Sequence, residues 1–107
     1  MCGICGSHGP DASAKAVAIM QSHMEHRGPD GEGVWQARGI VLGHRRLAIV
    51  DLSERGRQPM VSADGRIAIS VNGEIYNYAE LRRELERHGH VFVSDCDSET
   101  VIHAWLS

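Results

Sequence analysis

The stretch VWQARGIVLGHRRLAIV, residues 34–50, carries the clearest strand pattern in the chain. Apolar residues cluster at 34–37 and again at 40–50, and Gly39 lies between the two clusters. Two apolar runs separated by a short link that contains glycine are typical of paired strands joined by a tight turn. We therefore predict an antiparallel strand pair here, and the flanking segments are assigned around it.

The residues before this pair predict one strand and one helix. The run CGICG at 2–6 is small and apolar, which is typical of a buried strand, and Gly9-Pro10-Asp11 should turn the chain after it. Ser13 or Asp11 can cap a helix that is expected to end at Gly28-Pro29. A glycine-rich loop at 27–33 then leads into the pair.

The residues after the pair predict a loop at 52–59, a hairpin and a helix. Asp64-Gly65 is a hairpin-turn dipeptide between the arms 60–63 and 66–71. The helix is expected at 77–88 and should end at Gly89; its apolar face carries Tyr78, Leu81 and Leu85.

The end of the chain predicts a short strand at 90–94 and a last helix that begins near Asp97. The apolar face of that helix carries Val101, Ile102 and Trp105. Only about two helical turns fit before Ser107, which is short for a stable helix. We therefore expect the chain to be a truncated domain.

The composition fits one ordinary soluble domain. The 107 residues are 42% hydrophobic and 23% charged, and a chain of this length buries roughly 65% of its unfolded surface, so a core needs no disulfide bonds. A net charge of −3 provides no basic surface for nucleic acid or an anionic membrane. The sequence has no apolar run near the ~18 residues of a membrane span and no signal peptide. We expect a cytoplasmic protein.

Cys2 and Cys5 form a Cys-x-x-Cys pair, and Cys96 makes the cysteine count odd. Such a pair raises the alternative of a zinc or thiol-redox module. The next histidines, His23 and His26, do not have the spacing of a zinc finger. The sequence also contains neither GxGxxG nor a P-loop. We therefore expect no metal, nucleotide or other cofactor site on these residues.

Four stretches, in this order and spacing, resemble the N-terminal glutaminase domain of glutamine-dependent asparagine synthetases. They are MCGICG at 1–6, HRGPDGEG at 26–33, GHRRLAIVDLS at 43–53 with QPM at 58–60, and NGEIYNYAELR at 72–82. The resemblance continues through SDCDSETVI at 94–102. Amidotransferases that feed sugar or purine synthesis are similar at MCGI but differ after HRG and where this chain has LAIVD.

The resemblance implies an α+β fold of the N-terminal-nucleophile hydrolase type, which is an αββα four-layer sandwich of antiparallel sheets. Residues 1–107 would form about the first half of a glutamine amidotransferase domain, and the ATP-dependent synthetase domain would be absent from them. Glutamine would be the substrate. ATP and Mg²⁺ would bind in the missing domain, which would be a partner in the same chain, and a homodimer is an open alternative.

Cys2 is the first candidate catalytic residue. If Met1 is removed, Cys2 becomes the N-terminus, and its α-amino group, with a reference pKa of ~7.7–8.0, is a base within reach of its own thiol. The resemblance assigns Cys2 as the nucleophile, and processing of Met1 would then be obligatory. The alternative is that Cys2 packs as a small hydrophobic residue.

Asn72 and Gly73 follow the predicted strand that ends at residue 71. The resemblance implies that they form the oxyanion hole through the Asn side-chain amide and the Gly backbone N–H. Donors in such a site each contribute about 10²–10³ in rate. The alternative is a plain turn, because Asn-Gly is a common turn dipeptide.

Three charged residues match positions that bind glutamine in the resembled family. Arg46 would hold the α-carboxylate, a role that suits a planar guanidinium, while alternation along a strand turns Arg45 to the other face. Glu74 and Asp97 would hold the α-ammonium. Asp97 precedes a predicted helix and could instead be its N-cap. His26 and His44 are interpreted as structural.

These assignments predict that a Cys nucleophile hydrolyses the side-chain amide of glutamine. The ammonia would supply ATP-dependent amidation of aspartate to asparagine in the missing domain. Two alternatives stay open beside the zinc or redox module: an amidotransferase of the same type with another acceptor, and an inactive fragment whose incomplete sheets expose edges and apolar faces.

Overall fold

The computed structural model describes residues 2–47 and 54–107, which form an α+β arrangement with two antiparallel sheets. Within these ranges, no helix is long and apolar enough to cross a membrane. The elements, in chain order, are β1 (Gly3–His8), α1 (Ala14–Ser22), β2 (Gly31–Ala37), β3 (Ile40–Arg46), a 3-10 turn (Glu54–Gly56), β4 (Met60–Val61), β5 (Ala68–Ile69), α2 (Tyr78–Arg87) and α3 (Glu99–Leu106).

The larger sheet has the strand order β1-β3-β2, with both pairs antiparallel. The predicted pair around Gly39 is confirmed, and Gly39 has the positive φ of 81° that favours glycine. β2 begins at Gly31, earlier than predicted, because the ladder to β3 extends to Arg46. β3 ends at Arg46, and the N–H of the next residue, Leu47, donates to Cys2 Sγ. The predicted continuation through 48–50 lies outside the described residues.

Helix α1 covers one face of this sheet. Its buried residues are Val17 and Gln21, and the Gln21 Nε2 donates to the carbonyl oxygens of Gly33 at 2.7 Å and His44 at 3.2 Å. Ser13 caps the helix, as predicted, because its Oγ accepts from the Ala16 N–H. The predicted end near Gly28 is wrong: after residue 22 the chain continues in tight turns rather than as an α-helix.

The smaller sheet is the predicted hairpin, but its strands have two residues each. Met60 pairs with Ile69, and Gly65 in the turn has a φ of 74°. The arms are shorter than predicted because side chains replace part of the ladder. Ser62 Oγ accepts from the Ile67 N–H at 3.1 Å, and the Val71 N–H donates to a glutamine side chain.

Helix α2 is confirmed at its predicted position, and Gly89 follows it with a φ of 94°. Two backbone hydrogen bonds close its C-terminal turn: the Gly89 N–H donates to the Glu86 carbonyl oxygen, and the His90 N–H donates to the Leu85 carbonyl oxygen. Tyr78, Leu81 and Leu85 are half-buried. The apolar face of α2 therefore lies at the edge of the core.

The region before α3 departs from the prediction. The expected strand at 90–94 is wrong, because the N–H groups of Val93 and Ser94 donate to the Glu99 carboxylate, at 2.9 and 2.8 Å, rather than to a strand. Ile102 is buried, but Trp105 is 79% exposed, so its assignment to the buried face of α3 is wrong. Val17, Val41, Met60 and Ile102 are the buried apolar side chains of the described part.

Candidate active site

A cavity of about 360 Å³ opens where the sheet end, the 71–76 loop and the segment before α3 meet. All six residues that the sequence singled out lie on its wall: Cys2, Arg46, Asn72, Gly73, Glu74 and Asp97. They come from four stretches that are far apart in the sequence. The fold therefore brings the predicted residues to one place, and their individual roles remain predictions.

Cys2 lies immediately before β1 and is half-buried. Its Sγ accepts a hydrogen bond from the Leu47 N–H at 3.3 Å, and its carbonyl oxygen accepts from the Arg27 Nε at 3.3 Å. These contacts fix both the thiol and the backbone at the end of the sheet. Met1, whose removal the sequence analysis requires, lies outside the described residues.

Cys5 does not share the environment of Cys2. Its Sγ lies 3.9 Å from the Val17 carbonyl under α1, and burial raises the pKa of its thiol. Cys5 is absent from the cavity wall, whereas Cys2 and Cys96 are on it. In residues 2–47 and 54–107, no group of three or more His, Cys, Asp or Glu side chains could hold a metal ion. The two cysteines of the Cys-x-x-Cys pair therefore lie in different surroundings.

Asn72 and Gly73 lie at the exposed mouth of the cavity. A Cβ built on Gly73 has no heavy atom within 4 Å, so open space adjoins this residue. Val71, just before them, is fixed by two side chains: its N–H donates to Gln58 Oε1 at 2.7 Å, and its carbonyl oxygen lies 2.9 Å from His44 Nε2. The pair therefore extends from an anchored residue into an open space.

Arg46 and Arg45 point to opposite sides of β3, as strand alternation predicts. Arg46 lies on the cavity wall; burial lowers the pKa of the neighbouring His44, and the Arg46 charge acts in the same direction. Arg45 donates to the Gly28 carbonyl at 3.0 Å and to the Glu32 carboxylate at 2.8 Å. Arg46 is thus the arginine of the pair that faces the cavity.

Glu74 and Asp97 bring carboxylates to the same cavity as Arg46. Asp97 is buried, and its Oδ2 accepts from the Ile75 N–H at 2.8 Å. The alternative that Asp97 caps the helix by its side chain is wrong, since Ser98 is the N-cap residue of α3 and the Asp97 carboxylate binds Ile75 instead. The wall therefore offers both signs of charge, as recognition of a zwitterionic amino acid requires.

Other side chains of the wall had no predicted role at the cavity, among them His44, Gln58 and Cys96. His44 is 1% exposed, and burial lowers its pKa. Burial raises the pKa of the Cys96 thiol. The signal that could have found His44 is strand alternation, because it shares a face of β3 with Arg46. Gln58 lies in a loop, where no periodicity points to its side chain.

Comparison with known sequences agrees with this geometry. The glutamine amidotransferase domain family matches residues 1–107, so the chain belongs to that family. It is similar to asparagine synthetases described as glutamine-hydrolyzing. The chain is 44% identical over 92 residues to a probable asparagine synthetase from Dictyostelium discoideum. It is 42% identical over 109 residues to the nodule asparagine synthetase from Pisum sativum, and 46% identical over 101 residues to an asparagine synthetase from Triphysaria versicolor.

These matches cover 85%, 98% and 91% of this chain, respectively. They cover only 16%, 18% and 17% of the relatives. The chain therefore spans less than a fifth of the length of the curated relatives that it matches.

Proposed function

We propose that the cavity is the glutaminase site of a glutamine-hydrolysing asparagine synthetase. The observation that carries this proposal is the meeting of Cys2, Asn72 and Gly73 with Arg46, Glu74 and Asp97 around one cavity of about 360 Å³. A thiol, donors for an oxyanion and charges of both signs are the groups that hydrolysis of an amino-acid side-chain amide needs.

Binding of glutamine would use the charged part of the wall. The Arg46 guanidinium would pair with the α-carboxylate, and the Glu74 and Asp97 carboxylates would accept hydrogen bonds from the α-ammonium. The carboxamide would then point toward Cys2 and the open space beside Gly73. This polarity fixes which end of the substrate meets the thiol.

Hydrolysis would proceed in two steps. With Met1 removed, the α-amine of Cys2 would take the thiol proton, and the sulfur would attack the carboxamide carbon. The Asn72 side chain and the Gly73 N–H would donate to the oxyanion of the tetrahedral intermediate. The α-ammonium of Cys2 would then return the proton to the amide nitrogen, and the intermediate would collapse to a thioester as ammonia leaves. Water would then attack the thioester, releasing glutamate and regenerating the thiol.

The use of the ammonia lies beyond the described residues. We propose that a synthetase domain of the same polypeptide amidates aspartate, with ATP and Mg²⁺ bound there. The described residues do not fit these groups: they offer no cluster of three metal-binding side chains, and the sequence has no P-loop. We further propose that residues 1–107 are part of an αββα four-layer domain and that the protein is cytoplasmic.

The direct test is the intact mass of the full-length protein after treatment with a diazo-ketone analogue of glutamine. We expect loss of Met1 and one adduct on Cys2, and no adduct after Cys2→Ser. Cys5→Ser and Cys96→Ser are matched controls and should retain the adduct, because Cys2 supplies the reacting sulfur. Labelling that persists in Cys2→Ser would contradict the assignment of the nucleophile.

A second test separates the two half-reactions. Cys2→Ala should abolish asparagine synthesis from glutamine and spare synthesis from free ammonia, because the thiol is needed only to release ammonia. If glutamine-dependent synthesis survived, Cys2 would not be the nucleophile. If neither ammonia source gave asparagine in the unsubstituted protein, the acceptor would be a different compound.

A further inference from the structure

We propose that His44 and Gln58 are positioning residues that together hold Asn72 and Gly73 in place for catalysis. Neither residue is among those assigned a chemical role above. The inference rests on the proposed function, because it concerns the geometry of the donors that would bind the oxyanion. It is carried by the two hydrogen bonds that these side chains make with the backbone of Val71.

The two side chains together satisfy both backbone groups of Val71. Gln58 Oε1 accepts from its N–H at 2.7 Å, and His44 Nε2 lies 2.9 Å from its carbonyl oxygen. β5 ends two residues earlier, at Ile69, so this part of the chain lies beyond the ladder to β4. The residue directly before Asn72 is therefore held by side chains at the point where strand pairing has ended.

The chemistry of the contact fixes the protonation of His44. A carbonyl oxygen only accepts, so the His44 Nε2 must carry the proton and donate it to Val71. Burial lowers the pKa of His44 and favours the neutral ring. Its Nδ1 is buried without a hydrogen-bond partner among the described residues, so a proton on that nitrogen would have no acceptor there.

Both side chains are anchored on rigid parts of the fold. His44 lies on the central strand β3, and its own carbonyl oxygen accepts from Gln21 of α1. Gln58 is 6% exposed, and its backbone packs so closely on β2 that a Cβ on Gly33 would meet the Gln58 carbonyl oxygen at 2.1 Å. The contacts thus connect the larger sheet to the exposed Asn72-Gly73 pair.

The expected consequence is an effect on turnover rather than on substrate binding. An oxyanion donor contributes about 10²–10³ in rate only when it lies at hydrogen-bond distance from the developing charge. A displacement of about 1 Å can cost on the order of 10²-fold. Loosening Val71 would displace the donors but leave two glutamine ligands in place: Arg46, on β3, and Glu74, whose neighbour Ile75 is held by the Asp97 carboxylate.

The test compares variants that remove each hydrogen bond with variants that keep it. Gln58→Leu removes the acceptor, whereas Gln58→Glu keeps a side-chain oxygen at the same position. His44→Phe removes the donor, whereas His44→Gln keeps an N–H near the position of Nε2. Glutamine turnover is measured on the full-length protein. The apparent kcat is divided by the fraction of protein molecules that the diazo-ketone analogue labels, which gives kcat per labelled site and removes the effect of misfolded molecules on kcat.

We expect Gln58→Leu and His44→Phe to lower kcat per labelled site about 10- to 100-fold, with the KM for glutamine within about 3-fold. Gln58→Glu and His44→Gln should retain kcat within about 3-fold. In an Asn72→Ala background, Gln58→Leu should cost clearly less than it does alone, because one of the positioned donors is already gone.

Three results would overturn the proposal. The first is an unchanged kcat per labelled site in both removal variants. The second is a decrease in kcat for Gln58→Leu that is equally large in the Asn72→Ala background. The third is that the removal variants yield no labelled sites at all. The last result would mean a purely structural role. If Asn72→Ala itself left kcat unchanged, the oxyanion assignment would fail instead. The two failures are thereby distinguishable.

Discussion

The Asp97 carboxylate accepts a hydrogen bond from the Ile75 N–H at 2.8 Å and so joins the segment before α3 to the loop that carries Asn72 and Gly73. Asp97 lies on the cavity wall, and the carboxylate that makes this bond is buried. One side chain therefore connects two parts of the wall, in addition to the charge that it would offer to a substrate.

This double role predicts different outcomes for two substitutions of Asp97. Asp97→Asn keeps an oxygen for the Ile75 N–H but removes the charge, so the KM for glutamine should rise about 10-fold or more with little change in thermal stability. Asp97→Ala removes both and should also lower the unfolding temperature. Steady-state kinetics and thermal denaturation check both variants. Equal glutamine affinity in Asp97→Asn and the unsubstituted protein would exclude an ion pair with the ammonium.

Arg46→Ala should weaken glutamine binding. A hydrogen bond to a charged group contributes about 1.5–3 kcal/mol, so KM should rise about 10- to 100-fold while hydrolysis of a preformed thioester changes little. Arg38→Ala is a matched control, since Arg38 is exposed in the turn between β2 and β3. Arg46 would not be the carboxylate ligand if both variants had the same KM.

Gly73→Ala should fold normally but react slowly. Gly73 does not have a positive φ, and a Cβ there meets no heavy atom within 4 Å, so neither backbone strain nor packing opposes alanine. The methyl group would project into the open space that a bound carboxamide would need. We expect an unchanged unfolding temperature and a kcat/KM lowered about 10-fold or more. Normal activity in this variant would place the substrate elsewhere.

Gly28→Ala and Gly31→Ala should differ in stability although the two glycines are close in the sequence, Gly28 before β2 and Gly31 at its first position. A Cβ on Gly28 would lie 2.2 Å from the Arg45 carbonyl carbon, whereas a Cβ on Gly31 has its nearest neighbour, the Arg46 Cβ, at 3.9 Å. We therefore expect Gly28→Ala to lower the free energy of unfolding by about 1–3 kcal/mol or more. Gly31→Ala should change it by less, and chemical denaturation measures both.

Stability should decrease as the pH falls through the range in which the unfolded chain protonates His44. Burial lowers the pKa of His44 in the native state below 6.5, so below that pH the unfolded chain binds more protons and is favoured. His44→Gln should therefore lose less stability than the unsubstituted protein between about pH 7.5 and about pH 5.5. Parallel pH profiles for the unsubstituted protein and His44→Gln would contradict this account.

Local sequence patterns were sufficient where the structure depends on local chemistry. The strand pair around Gly39 and the helix that precedes Gly89 follow from periodicity and from glycine at positive φ. The six candidate site residues were found through motifs, and the structure brings them to one cavity although periodicity does not place any of them there.

Two of the failures, the strand at 90–94 and the length of the second hairpin arm, have a common physical cause: a side chain binds backbone groups that a strand partner would otherwise bind. The segment at 90–94 has the composition of a strand, yet the Glu99 carboxylate takes the N–H groups of Val93 and Ser94. Val71 is likewise held by His44, 27 positions away in the sequence. Such pairings depend on the assembled fold and leave no period in the sequence.

The strand order β1-β3-β2 has a consequence for how the sheet forms. β2 and β3 are joined by a short turn, so they can pair within microseconds of being available. β1 pairs with β3, and Gly3 lies about 40 residues before its partner Arg45. At a synthesis rate of about 5–20 residues per second, β1 waits roughly 2 to 8 seconds on the ribosome for that partner. The thiol proposed as the nucleophile is thus among the first groups synthesised, and β1, which directly follows it, waits longest of the three strands for a partner.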